Sequence, residues 1–285
     1  MIKNSRLKDC FCEGDVSVVV KVALIQFNIV SGDLDHNLTT VTEQIEIAAQ
    51  GHADLILLPE LWNCGYDLLH LPHLAQGLQG PTVSTIRELA KKYKLFIFAG
   101  SIAEKKDGVY YNTTVAIDQK GSIVGKYRKI HLFSLGFEED KFFSGGEDWG
   151  LVETPWGLAG MIICYDLRFP ELMRNLALRG ARFIVVPAQW PESKVDQWIT
   201  FCKARALENQ VYLFGTNCTG TDLEIPYPGK SLIVSPWGDV IKEGTSNQEV
   251  VLADIDMDEV DKAREALPAL FERRSILDEI DNSQF

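Results

Sequence analysis

The sequence predicts an α/β protein in which sheet and helix form layers. Short apolar runs of strand length alternate with stretches of helical spacing along most of the chain. Several of these runs are continuously apolar rather than alternating, as expected of strands covered on both faces. No Pro- or Ser-rich linker and no low-complexity segment interrupts the 285 residues, so one domain is the simplest reading.

The elements follow in order. Residues 21–28 read as a strand. Residues 36–50 read as an amphipathic helix, with Asp35 just ahead of it as the expected N-cap. Residues 53–58 are a continuous apolar strand that runs into Pro59 and Glu60. Residues 81–94 have helical spacing, with Val83, Ile86, Leu89 and Ala90 on one face. Residues 95–103 and 109–117 read as strands around a Lys105-Lys106-Asp107-Gly108 hairpin turn, and 122–126 as a short strand after Gly121. The second half repeats the theme loosely. Residues 158–164 form a strand, 170–179 a helix closed by Gly180, 182–187 a strand and 194–209 a helix. Strands at 211–216, 229–235 and 250–255 follow, then a helix over 256–265 that Pro268 ends. Periodicity alone does not separate one doubly wound sheet from two facing sheets.

Composition narrows the function. Hydrophobic residues at 46% and charged residues at 24% are ordinary for a soluble globular chain with a sizeable core. A net charge of −12, with Lys and Arg scattered, argues against nucleic acid and anionic membrane as partners. The six cysteines, at 10, 12, 64, 164, 202 and 218, form no C-x-x-C and no zinc pattern, and no H-E-x-x-H occurs. Scattered thiols in a chain this large fit a reduced, cytoplasmic protein. Residues 16–27 are apolar and follow Lys3, Arg6 and Lys8, but Lys21 and Gln26 interrupt them. They read as the approach to the first strand rather than as a signal peptide, and no other stretch is long enough to span a bilayer.

Three segments carry chemistry. The strand at 158–163 ends abruptly at Cys164, followed by Tyr165-Asp166-Leu167-Arg168-Phe169-Pro170-Glu171 rising into a helix. Such a turn presents a thiol at the carboxyl edge of a sheet, although a buried structural cysteine is equally compatible with the segment alone. Glu60 closes a buried strand, where partial desolvation suits a general base; a solvated loop Glu is the alternative. Tyr127-Arg128-Lys129 precedes the apolar Ile130-His131-Leu132-Phe133 run. An ammonium there would stabilise a thiolate and an oxyanion, or else belong to an ordinary basic turn.

Together these segments resemble the carbon–nitrogen hydrolase family, also called the nitrilase superfamily. Leu58-Pro59-Glu60, Tyr127-Arg128-Lys129 and Cys164-Tyr165-Asp166-Leu167-Arg168-Phe169-Pro170-Glu171 match its Glu–Lys–Cys triad in order and separation. The resemblance spans residues 21–274. It implies a four-layer α-β-β-α sandwich, an N-terminal extension over 1–20 and an acidic tail over 275–285. It also implies a second glutamate between the Lys and the Cys; Glu139 takes that position, counted back from Ser144-Gly145-Gly146, with Glu138 beside it. The implied enzyme is a cofactor-free, metal-free amidase that works through a thioester. Family members are usually at least dimers, and the helix at 194–209 and residues 256–285 are the candidate contacts.

Residues after the cysteine separate branches of the family, and Cys164-Tyr165-Asp166-Leu167-Arg168 looks like the branch holding ω-amidases and deaminated-glutathione amidases. Ala188-Gln189-Trp190-Pro191, Ala204-Arg205-Ala206-Leu207-Glu208-Asn209-Gln210 and Glu60-Leu61-Trp62-Asn63-Cys64-Gly65-Tyr66-Asp67 are similar to bacterial ω-amidase-like members linked to methionine salvage. The expected substrate is a small carboxylate with a terminal amide, such as 2-oxoglutaramate. A deaminated-glutathione or N-carbamoyl substrate is the runner-up. The backbone N–H of Tyr165 is the expected oxyanion donor, and Arg168 the expected fork for the far carboxylate, unless it ties the turn to Asp166 or Glu171. Trp190 and Tyr66 are candidate pocket walls or else packing residues. Arg205 with Glu208, His131 and Cys64 read as structural. The rival classes are an inactive binding protein on the same fold, which the intact triad disfavours, and a thiol oxidoreductase, which the missing C-x-x-C disfavours.

Overall fold

The computed structural model of the protein describes residues 19–274. The expected N-terminal extension, apart from Val19 and Val20, and the acidic tail lie outside the described residues. The chain runs through β1 (Val19–Gln26), α1 (Leu34–Gln50), β2 (Leu55–Leu57), α2 (Leu71–Leu74), α3 (Pro81–Tyr93), β3 (Phe96–Phe98), β4 (Ile102–Lys106), β5 (Val109–Ile117) and β6 (Ile123–Arg128). It continues with α4 (Glu139–Phe142), β7 (Leu151–Thr154), β8 (Gly157–Met161), α5 (Pro170–Leu178), β9 (Phe183–Pro187), α6 (Val195–Asn209) and β10 (Tyr212–Thr216). A hairpin of β11 (Thr219–Asp222) and β12 (Ile225–Pro228) precedes β13 (Leu232–Val234), β14 (Val240–Glu243), β15 (Glu249–Asp256) and α7 (Glu259–Ala266).

Two sheets face each other. In the first, β15, β1, β2, β3 and β5 lie side by side, with β1, β2 and β3 parallel. Ile102 of β4 and Arg128 of β6 both pair with Thr113, so these two strands take opposite edges of β5. In the second sheet the order is β14-β13-β10-β9-β8-β7, again with a parallel trio, β8, β9 and β10, at its centre. Val22, Leu24, Leu55, Leu57, Phe96 and Phe98 from one sheet meet Ala159, Met161, Phe183, Val185, Tyr212 and Phe214 from the other in one buried cluster. The edge-to-face pair of Phe98 and Phe183, with ring centroids 6.1 Å apart, joins the sheets directly. The opposite face of the first sheet buries Ala23, Ile25, Ile56 and Ile97 against Val41, Ile45 and Ala48 of α1 and Val83, Ile86 and Ala90 of α3. Residues of α5 and α6, among them Leu172, Leu176, Trp198 and Cys202, cover the far side of the second sheet. This is the four-layer α-β-β-α sandwich. Both trios are apolar on both faces, which is why their sequences run without alternation.

Three local expectations need correction. The cap of α1 is Asp33, not Asp35: its carboxylate accepts the His36 N–H at 3.0 Å, and Asp35 sits in the first turn. The first strand starts at Val19, two residues ahead of the expected domain boundary. The strand expected over 95–103 is broken into β3 and β4 at Gly100, whose φ is +55°. A Cβ there would collide with the Pro59 carbonyl. Glycine thus lets the chain bearing Glu60 press against the break, where the Ser101 N–H reaches the Pro59 carbonyl at 2.9 Å.

Candidate active site

The chemically suggestive residues arrive from the carboxyl ends of strands, the edge where open α/β sheets hold ligands. Glu60 follows β2, Lys129 follows β6, Cys164 follows β8, and Gln189 and Trp190 follow β9. Glu139 opens α4, a single turn. Several of these positions carry backbone strain. Cys164 itself has φ +44°, Leu61 beside Glu60 has +40°, and Glu138 beside Glu139 has +54°. A non-glycine residue in this region costs about 1–3 kcal/mol, so the surrounding structure must hold each in place.

Glu60, Lys129 and Glu139 are fully buried and in contact. The Lys129 ammonium donates to Glu60 Oε1 at 2.8 Å and to Glu139 Oε2 at 2.7 Å. Asn112 Nδ2 closes the ring from the other side, at 2.9 Å from Glu60 Oε1 and 3.2 Å from Glu139 Oε1. Backbone N–H groups finish the carboxylates: Gln189 donates to Glu60 Oε2 at 3.0 Å, and Phe133 to Glu139 Oε2 at 2.7 Å. The Tyr66 hydroxyl donates to Glu139 Oε1 at 3.3 Å. Two buried carboxylates and one ammonium survive desolvation only with hydrogen bonds this complete.

Electrostatics follow from that enclosure. Burial pulls the Lys129 ammonium down, but the Glu139 and Glu60 carboxylates outweigh it, and its pKa lies well above the ordinary lysine value. Burial pushes the Glu139 carboxyl up; Lys129 opposes this and the Glu60 charge adds to it. The Cys164 thiol is pushed far above its usual range by burial and then by Glu60, with Lys129 pulling the other way. At neutral pH the sulfur therefore rests as a thiol, and its nucleophilicity depends on a base that accepts the proton during attack.

The turn carrying the thiol, Cys164–Arg168, is clamped from below. The buried Asp166 carboxylate accepts from the Tyr127 hydroxyl at 2.7 Å, the His131 N–H at 2.9 Å and the Ile163 N–H at 3.0 Å, and meets His131 Nδ1 at 2.8 Å. His131 stacks on Phe169, with ring centroids 3.6 Å apart, and is structural, as read from the sequence. Arg205 pairs with Glu208 at 2.9 Å and also donates to the Leu167 and Arg168 carbonyls, so it caps this turn. Cys64 is a buried packing thiol, pushed up to about 12 by burial.

Above the cluster a pocket of about 360 Å³, its open mouth included, is lined by Cys164, Tyr165, Arg168, Gln189, Trp190 and Tyr66 together with Phe133, Phe137, Pro191 and Lys194. All four residues expected to bind substrate therefore line it. Arg168 does not tie the turn to Asp166 or Glu171. It bonds Gln197 at 2.8 Å and lies over the Trp190 ring at 4.7 Å, and no carboxylate among the described residues pairs with it. Trp190 is both wall and packing residue, with its indole N–H on the Lys194 carbonyl and its ring against Trp198. Among the described residues, the only formally charged side chains lining the pocket are the cations Arg168 and Lys194, the latter over the Phe133 ring at 5.2 Å. Tyr165 belongs to the first turn after Cys164, where N–H groups have no partner within the turn.

Sequence reasoning missed Asn112, Gln189, Phe133, Phe137 and Lys194. Asn112 offered one signal, a polar residue in a strand whose next two residues, Thr113 and Thr114, are buried with it. Gln189 lay in a segment singled out for its neighbour Trp190.

Comparisons with known proteins bear on the family and the fold. A family model described as Carbon-nitrogen hydrolase matches residues 21–265. The 2-oxoglutaramate amidase of Bacillus subtilis (strain 168) is 38% identical over 256 residues, covering 90% of this chain and 98% of that one. The Homo sapiens protein named Omega-amidase NIT2 is 33% identical over 266 residues, covering 90% and 96%. Among solved structures, Saccharomyces cerevisiae Nit3, described as a member of branch 10 of the nitrilase superfamily, superposes with a TM-score of 0.83. It is 30% identical and covers 90% of this chain and 97% of that one. In sequence and fold alike, then, the chain belongs to the carbon–nitrogen hydrolase family and is an enzyme of that class.

Proposed function

We propose that the protein is an ω-amidase, hydrolysing the terminal amide of a small carboxylate such as 2-oxoglutaramate, with Cys164 as nucleophile. One observation carries the substrate class. The pocket is aromatic along its walls, holds a thiol beside a buried glutamate–lysine cluster, and is lined by two cations and, among the described residues, no carboxylate. A short chain with an amide at one end and an anion at the other fits that polarity. The relatives named 2-oxoglutaramate amidase and Omega-amidase support the same reading.

Glu60 takes the thiol proton as sulfur attacks the amide carbonyl and the C–S bond forms. Lys129 and the Tyr165 N–H receive the charge that gathers on oxygen. Glu60 then returns the proton to the nitrogen, the C–N bond breaks and ammonia leaves a thioester on Cys164. Water attacks this thioester with Glu60 again as base. The C–S bond breaks, the carboxylate product leaves and the thiol is restored. Glu139 holds Lys129 in place from the far side. Arg168 receives the distant carboxylate, while Tyr66 and Trp190 wall the chain between.

On the same reading the enzyme is cytoplasmic and a homodimer or higher homo-oligomer. Free thiols at Cys64, Cys164, Cys202 and Cys218 fit a reduced compartment, and no described helix is long and apolar enough to cross a membrane. Leu207 at the end of α6 and the adjacent Trp237 are large, apolar and exposed, which suits the expected contact through α6. Ammonia release from 2-oxoglutaramate, deaminated glutathione and N-carbamoyl amino acids tests the substrate. The highest kcat/KM is expected on 2-oxoglutaramate, and a higher value on either competitor would overturn the assignment.

A further inference from the structure

We propose that Gln189 is a substrate-binding residue whose side-chain oxygen, Oε1, accepts a hydrogen bond from the nitrogen of the amide being cleaved. This rests on the ω-amidase reading and deepens it by naming the group that reads the leaving nitrogen.

Three observations converge on this glutamine. It lines the pocket together with Cys164, although it is almost wholly buried. It is bound to the proposed base twice: its backbone N–H reaches Glu60 Oε2 at 3.0 Å, and its side-chain Nε2 reaches the Glu60 carbonyl at 2.9 Å. Its Oε1 is buried and has no hydrogen-bond partner among the described residues. The Nε2 contact fixes which way the amide faces, because a flipped side chain would set oxygen against oxygen.

A buried acceptor without a partner is costly, and folded proteins rarely keep one without a use for it. Here the substrate supplies the partner. A primary amide carries two N–H donors, and neither is broken in the chemistry at sulfur or at the carbonyl carbon. The nitrogen also becomes more positive as Glu60 protonates it and the C–N bond stretches. An oxygen acceptor beside it gains strength along that path, so the interaction favours the transition state over the bound substrate. Held by two bonds to Glu60, Oε1 keeps a constant relation to the base that delivers the proton. Apart from the Cys164 sulfur, the other described lining side chains able to accept a hydrogen bond are the Tyr165 and Tyr66 hydroxyls. Phe133, Phe137, Trp190 and Pro191 are apolar or donors only, Arg168 and Lys194 are donors, and Tyr66 is engaged with Glu139.

The test separates leaving nitrogen from leaving oxygen. Wild type, Gln189→Met and Gln189→Leu are compared on 2-oxoglutaramate and on the methyl ester with the same acyl group. Both form the same thioester, and kcat/KM reports its formation in each case. The backbone bond from residue 189 to Glu60 survives in both variants. Both variants lose the Nε2 bond to the Glu60 carbonyl, a loss that falls on both substrates alike; the amide value is expected to fall roughly 10- to 100-fold further than the ester value, which has no N–H to bind. Equal losses on both substrates would reduce Gln189 to a support for Glu60 and overturn the proposal, as would an unchanged amide value. A wild-type enzyme that cleaves neither compound would instead overturn the ω-amidase reading, and this assignment with it.

Discussion

At the scale of single residues, the decisive fact is that Lys129 is buried between two carboxylates and is, among the described residues, the only cation bonded to either. Replacing it with methionine leaves the buried Glu60 and Glu139 carboxylates without the cation between them. Removing one partner of a buried ion pair costs about 3–5 kcal/mol. Lys129→Met is therefore expected to lower the thermal midpoint clearly in a denaturation scan and to reduce kcat/KM by orders of magnitude. A variant with wild-type turnover would rule out any part for this ammonium in oxyanion binding. Cys164 and Glu60 were legible because each stands where an apolar run ends, Lys129 because a basic stretch leads into one, and the three became a set only through the family resemblance of their segments. Asn112 and Gln189 were not legible. Their importance comes from hydrogen bonds to Glu60 across 52 and 129 positions of chain, which no local pattern records.

At the scale of elements, the turn Cys164–Arg168 keeps its strained nucleophile because Asp166 anchors it to β6 and to the segment after it. Asp166→Asn substitutes an amide N–H₂ for an oxygen that faces donors. About 1–3 kcal/mol of stability should be lost with the unsatisfied groups, and kcat should fall as the thiol loses its fixed position; parallel melting and turnover measurements check both. The β4–β5 hairpin supplies a different kind of anchor. Glu104 takes Arg128 at 2.8 and 3.0 Å and the Thr113 hydroxyl at 2.8 Å, directly before Lys129. Burial pushes its carboxyl up, yet the Arg128 and Thr113 hydrogen bonds win and hold it below the ordinary glutamate range. A carboxylate with a depressed pKa stabilises the fold above its unfolded value and loses that contribution as pH falls through the folded one. Denaturation followed from pH 6 to pH 3 should thus show a shallower acid loss in Glu104→Gln than in wild type. Elements with strong period or uninterrupted apolar runs, such as α3 and β9, were read closely from sequence. The break at Gly100 and the cap at Asp33 were not, because a contact with the Pro59 carbonyl decides the first, and one hydrogen bond decides between neighbouring aspartates for the second.

At the scale of the whole molecule, the site exists because two parallel trios end at the same edge of the sandwich. The first sheet delivers Glu60, Asn112 and Lys129, and the second delivers Cys164, Gln189 and Trp190. The four-layer arrangement came from family resemblance rather than from periodicity, since apolar strands look alike whether helices or another sheet cover them. Facing sheets are what bring Glu60 and Cys164, more than 100 residues apart in the chain, within reach of each other. The most direct test of that convergence is steady-state ammonia release from 2-oxoglutaramate by Cys164→Ala, with the folded state verified by its melting curve. Release should drop to background while the fold persists; hydrolysis retained at a rate near wild type would contradict Cys164 as the nucleophile.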